Sequence, residues 1–228
     1  MDAVFRAFRH VIDSRARQDA GALLDVGCGE GAFLRFLGAA SNLERHGVDI
    51  SAPSIELAAK SSPAASFLVA NADRFLPYAD ASFDFVTSID ARVNASEFDR
   101  VLTKTGLVLV AVPAPDDLIE LRERVQGGTV EKSRAPRIED ELGKTFTLLD
   151  RTTIRDQRTF GPDALRDLLT ATYRGFRQSE QAKVATLAAM SVTLSHEVLA
   201  FERPPPSLRE GKRERADEAI LGTKASGL

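Results

Sequence analysis

Short apolar runs alternate with helix-period segments along the first half of the chain. An amphipathic helix is predicted over residues 2–18, where Val4, Phe5, Phe8 and Ile12 recur at helical spacing. Strand-like runs follow at 22–26, 45–50, 66–70, 83–89 and 106–112, with helical segments at 32–37, 52–60 and near 95–103. Because continuous apolar strands are typical of strands buried on both faces, this rhythm predicts an α/β fold whose parallel sheet is covered by helices on both sides.

The second half has a different pattern. A helical stretch, DDLIELRERV, is followed by a Gly127-Gly128 turn and a loop of mixed charge that runs to Arg137. Alternation over 144–160 predicts one long or two short strands, and a helix at 162–171 and a last strand at 189–202 follow. We expect one domain over 1–203 and, from Pro204 onward, a charged tail over 204–228 that is flexible or weakly helical.

Composition excludes several classes of protein. A chain of 228 residues is long enough for one substantial core, and its net charge of −3 provides no overall field that favours nucleic acid or an anionic membrane. The single cysteine, Cys28, excludes an internal disulfide framework and a multi-cysteine zinc module, and it fits a reducing, cytoplasmic setting. Residues 1–17 carry Arg and His too often for a signal peptide or a membrane span. We therefore expect no membrane association and no metal site.

The most informative segment is LLDVGCGEGAFL, residues 23–34, in which a strand leads into a helix through Gly27, Gly29 and Gly31. Glycines at such a turn let a ligand approach the backbone N–H groups and the positive end of the helix. The segment also satisfies a G-x-G-x-x-G/A dinucleotide fingerprint, with Asp49 at roughly the right distance for a ribose hydroxyl. The turn alone therefore fits two classes of cofactor.

Asp25, two positions before the first glycine, favours one of these classes. A carboxylate at the mouth of the turn would lie close to the doubly negative pyrophosphate of a dinucleotide, and like charges repel each other. S-adenosylmethionine instead carries an ammonium group and a sulfonium, and it has no phosphate. The D-x-G-x-G-x-G spacing therefore favours the methyl donor. An NAD(P)-dependent oxidoreductase is disfavoured, also because no hydride-transfer acid or base is identifiable.

Further segments resemble those of the class I S-adenosylmethionine-dependent methyltransferases. LDVGCGEG resembles their first motif, HGVDIS (46–51) the second, and VANADRFLPYADASFDFV (69–86) the third and fourth. KTGLVLVAVP (104–113) resembles the turn and fifth strand. The resemblance implies S-adenosyl-L-methionine as cofactor. It also implies a Rossmann-like fold with a mostly parallel seven-stranded sheet, helices on both faces and an antiparallel C-terminal strand.

The resemblance also assigns candidate cofactor-binding residues. Asp49 takes the position of the acid that holds both ribose hydroxyls, and Asn71 takes the position that reaches the adenine amino group. The candidates are Asp25, Gly27, Cys28, Gly29, Gly31, Asp49, Ile50, Asn71 and Ala72. Two plainer interpretations stay open: Asn71 as an ordinary turn residue, and Cys28 as a small turn residue that is not a nucleophile.

Within that superfamily, three segments resemble the bacterial ribosomal RNA guanine-N1 methyltransferases: LDVGCGEGAFL, residues 97–124 and residues 146–156. This resemblance covers about residues 20 to 202, and VPAPDDLIEL is its family-specific part. The family begins with a four-cysteine zinc module, which this sequence lacks. The family therefore implies RNA as the methyl acceptor, whereas the missing module and the acidic balance favour a small molecule. A homodimer is also compatible with the sequence.

The segments expected to face the acceptor depart from the family pattern. Ile89-Asp90-Ala91-Arg92 replaces an aromatic or proline-bearing loop, and residues 172–176 lack the family's tryptophan. Asp90, just past the fourth strand, is the candidate general base, with Arg92 or Arg174 as substrate clamps. The alternative interpretation of Asp90 is a helix cap or a solvated acid. The alternative for the whole chain is a non-catalytic member of the family that binds the cofactor.

Two groups of residues are given structural interpretations. Each of the histidines stands alone in the sequence and is interpreted as a structural residue with satisfied hydrogen bonds: His10, His46 and His196. The cluster from Arg122 to Arg137 is interleaved with glutamates, which favours a solvated face over an RNA-binding surface.

Overall fold

A computed structural model of the chain describes residues 1–15, 21–38, 42–127, 131–172 and 187–204. The strands are β1 (Ala22–Val26), β2 (Glu44–Asp49), β3 (Ser66–Val69), β4 (Phe83–Ile89), β5 (Leu102–Pro113), β6 (Thr147–Phe160) and β7 (Met190–Glu202). The helices are α1 (Asp2–Arg15), α2 (Ala32–Leu37), α3 (Ala52–Ser61), α4 (Ala95–Val101), α5 (Ile119–Gln126), α6 (Ala135–Leu142) and α7 (Pro162–Thr172).

In the described part of the chain, the strands form one sheet in the order β3-β2-β1-β4-β5-β7-β6. The pairs from β3 through β5 are parallel, whereas β7 is antiparallel to both β5 and β6. The predicted seven-stranded, mostly parallel sheet is thereby confirmed. The chain moves outward from β1 to β3 and then returns to β4 on the other side of β1. Ligands of open α/β sheets bind at such a reversal, beyond the carboxyl ends of the strands.

The alternation of side chains along the central strands builds an apolar core on each face of the sheet. On β5, Val108 and Val110 belong to the core that includes α4 and α6, whereas Leu107 and Leu109 belong to the core that includes α1 and α2. Both sets are buried because helices cover both faces, as the apolar runs predict. No helix in the described segments combines the length and the apolar composition that crossing a membrane requires.

The second half differs from the prediction at α6, which lies where the sequence indicated a loop of mixed charge. Ala135, Ile138 and Leu142 form a buried stripe at helical spacing, and Pro136 occupies the first turn. Charged neighbours outnumber these three apolar residues, so the periodicity is weak in the sequence. The 144–160 segment forms a single 14-residue strand, β6. Predictions for residues 173–176 and for the tail beyond residue 204 concern parts of the chain outside the described residues.

Candidate functional site

An open cleft of about 1260 Å³ lies beyond the carboxyl ends of β1, β2, β4 and β5. The loops that follow these strands and β3 form one wall, and α6 with the segment before it forms the other. Among the residues proposed from the sequence, those that line it are Gly27, Asp49, Ile50, Asn71, Ala72, Asp90 and Arg92. The others that are described, Asp25, Cys28, Gly29 and Gly31, belong to the same strand and turn but do not line the cleft.

The turn after β1 packs directly against the loop after β4. Gly27 has a φ of +74°, a left-handed conformation that side chains disfavour. A Cβ atom at this position would lie 2.3 Å from the Cβ of Ala91. The N–H groups of Gly27 and Cys28 both donate to the carbonyl of Val48, at 2.8 and 3.1 Å. Gly27 is therefore required both for its conformation and for the contact between the two loops.

Asp49, at the end of β2, organises this turn through both carboxylate oxygens. Oδ2 accepts a hydrogen bond from the Gly29 N–H at 2.9 Å, and Oδ1 accepts one from the Ser51 N–H at 2.9 Å. Ser51 is in turn the N-cap of α3. Each carboxylate oxygen has a second lone pair, so Asp49 can accept hydroxyl hydrogen bonds from a ligand while the turn stays intact.

The next stretch of the wall is apolar and exposed. The exposed fraction of Ile50 is 69%, and Ala72 lines the cleft with it. Asn71 also lines the cleft, and its Oδ1 accepts a hydrogen bond from the Asp73 N–H at 3.0 Å. Asn71 is therefore a turn residue and a wall residue at once. An exposed isoleucine beside a small alanine is suited to bury the face of a flat ring.

Asp25 lies beneath the turn, whereas the sequence argument placed it at the mouth. Its exposed fraction is 3%, and its Oδ1 accepts a hydrogen bond from the Thr87 hydroxyl at 2.7 Å. Burial raises the pKa of Asp25 to about 7; the Thr87 bond lowers this pKa, and the charge of Asp49 raises it. In the free protein, Asp25 is therefore about half protonated near neutral pH, and a nearby cation would favour its charged form.

Burial of Asp25 predicts that the stability of the free protein falls with rising pH. Its pKa is 3.8 when unfolded and about 7 when folded, so between these values the folded state holds the extra proton. The free energy of unfolding should therefore fall from about pH 4 to about pH 7, by a few kcal/mol. Asp25→Asn should remove this fall and be more stable than wild type at about pH 8.

Denaturant unfolding at about pH 5 and about pH 8 measures the effect. Asp13→Asn on α1 is the control, because the Asp13 side chain is 59% exposed. The same pH dependence in Asp25→Asn and in wild type would contradict the prediction.

In the loop after β4, which also lines the cleft, Asp90 is paired with His196. The Asp90 Oδ2 lies 3.2 Å from the His196 Nε2, and the two residues are separated by 106 positions in the chain. Asn94, not Asp90, caps α4, so the helix-cap interpretation of Asp90 is wrong. His196, interpreted from the sequence as a structural histidine, is buried and has Asp90 as its partner. No local signal identifies this pair, because the contact depends on where β7 enters the sheet.

Several cationic side chains also line the cleft. Arg92 is 84% exposed and lies 3.2 Å from the Asp73 carboxylate. The segment before α6 and α6 itself contribute three cations, Lys132, Arg134 and Arg137, and one carboxylate, Glu141. Arg122, by contrast, is buried and bonded to the Pro115 carbonyl. The arginine cluster interpreted from the sequence as one solvated face is therefore divided between the core and the cleft. Arg174 lies outside the described residues.

Residues 23–111 match the family model described as the methyltransferase domain. A Bacillus subtilis (strain 168) protein, provisionally named a 23S rRNA (guanine-N1) methyltransferase, is 35% identical over 54% of this chain and 43% of that protein. The 23S rRNA (guanine(748)-N1)-methyltransferase of Streptomyces fradiae is 30% identical over 66% of this chain and 56% of that protein. The chain thus spans about half the length of the curated relatives it matches.

Solved structures share the fold at low sequence identity. The YcgJ protein of Bacillus subtilis superposes with a TM-score of 0.59 at 18% identity, over 88% of this chain and 99% of that one. Geranyl diphosphate C-methyltransferase from Streptomyces coelicolor A3(2), solved with S-adenosyl-L-homocysteine, gives a TM-score of 0.53 at 14% identity over 87% and 80% of the two chains. The fold is that of the class I methyltransferases.

Proposed function

We propose that this chain, a class I methyltransferase by its fold and by the family match of residues 23–111, methylates N1 of guanine in RNA with S-adenosyl-L-methionine as donor. The observation that carries the proposal is the cleft itself. Gly27, Asp49 and Asp90 line one cavity together with a cationic rim formed by Arg92, Lys132, Arg134 and Arg137. One cavity thus contains a nucleoside-type site and, beside it, a carboxylate that is able to take a proton.

The described residues fit the cofactor. Gly27 leaves the space that a side chain would fill, Asp49 has free lone pairs for the ribose hydroxyls, and Ile50 is exposed for an adenine ring. Asp25 beneath the turn favours a cationic ligand, since a positive charge stabilises its ionised form. When bound, S-adenosylmethionine supplies a methyl group on a sulfonium centre, which departs as a neutral thioether.

Guanine N1 carries a hydrogen, so the acceptor has to lose a proton as well as gain a methyl group. We assign that proton to the Asp90 carboxylate. The electron pair of N1 forms the new bond to the methyl carbon, the carbon–sulfur bond breaks with its electrons on sulfur, and the N1 proton passes to Asp90. Much of the remaining catalysis is positioning and exclusion of water in the cleft.

The cationic rim favours RNA over a small molecule as the acceptor. Among the described residues, no ion pair engages Lys132 or Arg137, and both line the cleft. Such side chains can neutralise phosphates of a bound RNA strand. In the proposed complex, a single unstacked base of that strand enters the cleft. The names of the relatives support the same acceptor. The net charge of −3 is the observation that favours a small molecule.

A labelled-methyl assay tests the acceptor. Wild-type protein is incubated with labelled S-adenosylmethionine and either unmodified 23S ribosomal RNA transcript or a fractionated metabolite extract. We expect label in the RNA, with a primer-extension stop at one guanine, because an N1 methyl group blocks base pairing. Label confined to the metabolite fraction would assign a small-molecule acceptor, and incorporation into neither would support the non-catalytic alternative.

Asp49→Ala should weaken the binding of S-adenosylhomocysteine by about 1–3 kcal/mol, or roughly 5- to 150-fold. The substitution removes the predicted acceptors for the ribose hydroxyls and leaves the Gly29 and Ser51 N–H groups without their present partner. Isothermal calorimetry measures the affinity. Asp73→Ala removes another carboxylate of the cleft and is the matched control. An unchanged affinity in Asp49→Ala would show that Asp49 does not bind the cofactor. Binding of NADH in place of S-adenosylhomocysteine would contradict the proposed cofactor.

A further inference from the structure

Asp90 is held in an unusual backbone conformation at the cleft. Its φ of +56° is left-handed, a conformation that only a few per cent of non-glycine residues adopt, with Asp among the enriched types. Its N–H donates to the Ala111 carbonyl on β5 at 2.9 Å, so the strained residue is tied to the sheet. Such strain persists where the surroundings over-determine it, and it is concentrated at functional sites.

The backbone of His196 is held by the strands on both sides of β7, and its side chain is buried. His196 is opposite Pro113 of β5 and Ile154 of β6, and its exposed fraction is 6%. The neighbouring Ser195 N–H donates to the Asp117 carboxylate at 2.8 Å, and the Ser195 carbonyl accepts from the Ala114 N–H at 2.9 Å. The ring therefore approaches Asp90 from a rigid, buried position.

The side chains of Asp90 and His196 differ in their solvent exposure. The Asp90 side chain is 37% exposed, whereas the His196 side chain is 7% exposed. Burial has the largest effect on the pKa of Asp117 and raises it. His196 lowers this pKa and Asp90 raises it, so Asp117 lies close to both residues. Buried Arg122 also lowers the Asp117 pKa, and exposed Arg92 lies in the loop just after Asp90.

We infer that His196 is a positioning residue for Asp90: its Nε2–H donates to Oδ2 and orients the carboxylate so that Oδ1 takes the proton of the acceptor nitrogen. This inference rests on the proposed function and adds to it a residue that lies outside the cleft lining. The bonds that form and break are those of the methyl transfer given above. The proton ends on Asp90, and His196 keeps its own proton throughout.

The contact itself is testable without any acceptor. In protein labelled with ¹⁵N-histidine, we expect the His196 ring to carry its proton on Nε2 and to exchange this proton slowly. In Asp90→Ala this signature should be lost, while the signals of His10 and His46 stay unchanged. The same His196 signals in both proteins would overturn the inference, whatever the acceptor is.

Kinetics test whether the contact serves the reaction. His196→Leu should lower kcat about 10- to 100-fold and shift the acid limb of the pH–rate profile, because it removes the donor that orients the base. His196→Gln, which keeps an N–H donor, should restore most of the rate. The affinity for S-adenosylhomocysteine should be unchanged in both, which also shows that each variant is folded.

His46→Leu is the matched control, since His46 packs against Tyr78 and Phe83 away from the cleft. A wild-type kcat in His196→Leu, or equal losses in the Leu and Gln variants with an unchanged pH profile, would assign His196 a purely structural role and overturn the inference. Wild-type protein that binds S-adenosylhomocysteine but methylates no acceptor would contradict the proposed function instead, and the NMR comparison would still decide the contact.

Discussion

Asp90→Asn should lower kcat for methyl transfer by about 10²- to 10⁴-fold, the usual contribution of a general base. The substitution changes little else. Asn is among the few residue types that adopt the left-handed conformation readily, so the φ of +56° adds no new strain. Its amide oxygen can still accept the hydrogen bond from His196. What is lost is a basic oxygen for the proton of the acceptor.

Single-turnover rates with saturating cofactor measure this effect, because they isolate the chemical step. The affinity for S-adenosylhomocysteine should stay within about twofold of wild type, since the cofactor contacts are proposed for Gly27, Asp49 and Ile50 and not for Asp90. Glu141→Gln removes the charge of another carboxylate in the cleft, one that no ion pair among the described residues engages, and should retain the wild-type rate. A wild-type rate in Asp90→Asn would show that the acceptor loses its proton to another group.

Gly27→Ala should reduce cofactor affinity by at least about 100-fold and should also lower the free energy of unfolding. Two costs add. A Cβ atom at a φ of +74° costs about 1–2 kcal/mol, and the same atom would lie 2.3 Å from the Ala91 Cβ, which is far inside contact distance. The turn and the loop after β4 must move apart, and this displaces the backbone that faces the ligand.

The chain offers a control and a rescue for this experiment. Gly29→Ala introduces the same kind of strain at a φ of +52° but meets no atom within 4 Å, so it should be milder than Gly27→Ala. Ala91→Gly removes the opposing Cβ, so Gly27→Ala combined with Ala91→Gly should recover the part of the loss that is due to the clash. Urea unfolding and calorimetric titration measure both quantities. Equal losses in Gly27→Ala with and without Ala91→Gly would contradict the packing argument.

The proposed cofactor-binding part of the cleft is largely predictable from the sequence, because its residues belong to consecutive strand–turn–helix units. Gly27 follows β1 and Asp49 ends β2, as the motif spacing implies. Asp25 is the exception. The sequence places it at the right position along the strand, but only the structure shows that it is buried beneath the turn and bonded to Thr87 of β4. Burial depends on the neighbouring strand, which a local pattern does not encode.

The proposed acceptor-binding part of the cleft is predictable only in part. Asp90 follows from its place after β4, but its partner does not, because His196 reaches it through the insertion of β7 between β5 and β6. The cationic rim depends on α6, whose buried stripe of three residues is hidden among charges. Arg122 and Arg137 are close in sequence, yet one is buried and the other lines the cleft.

The sequence by itself determined the strands of the sheet and the residues proposed to bind the cofactor, since periodicity and the glycine turn act over a few neighbouring positions. Only the tertiary structure decided how Asp25 is buried, which histidine meets Asp90 and which cations line the cleft. These contacts join segments that are far apart in the chain, and their geometry depends on how the strands pair and how the helices pack. The chemistry proposed for the acceptor therefore depends on the order of the strands more than on any single motif.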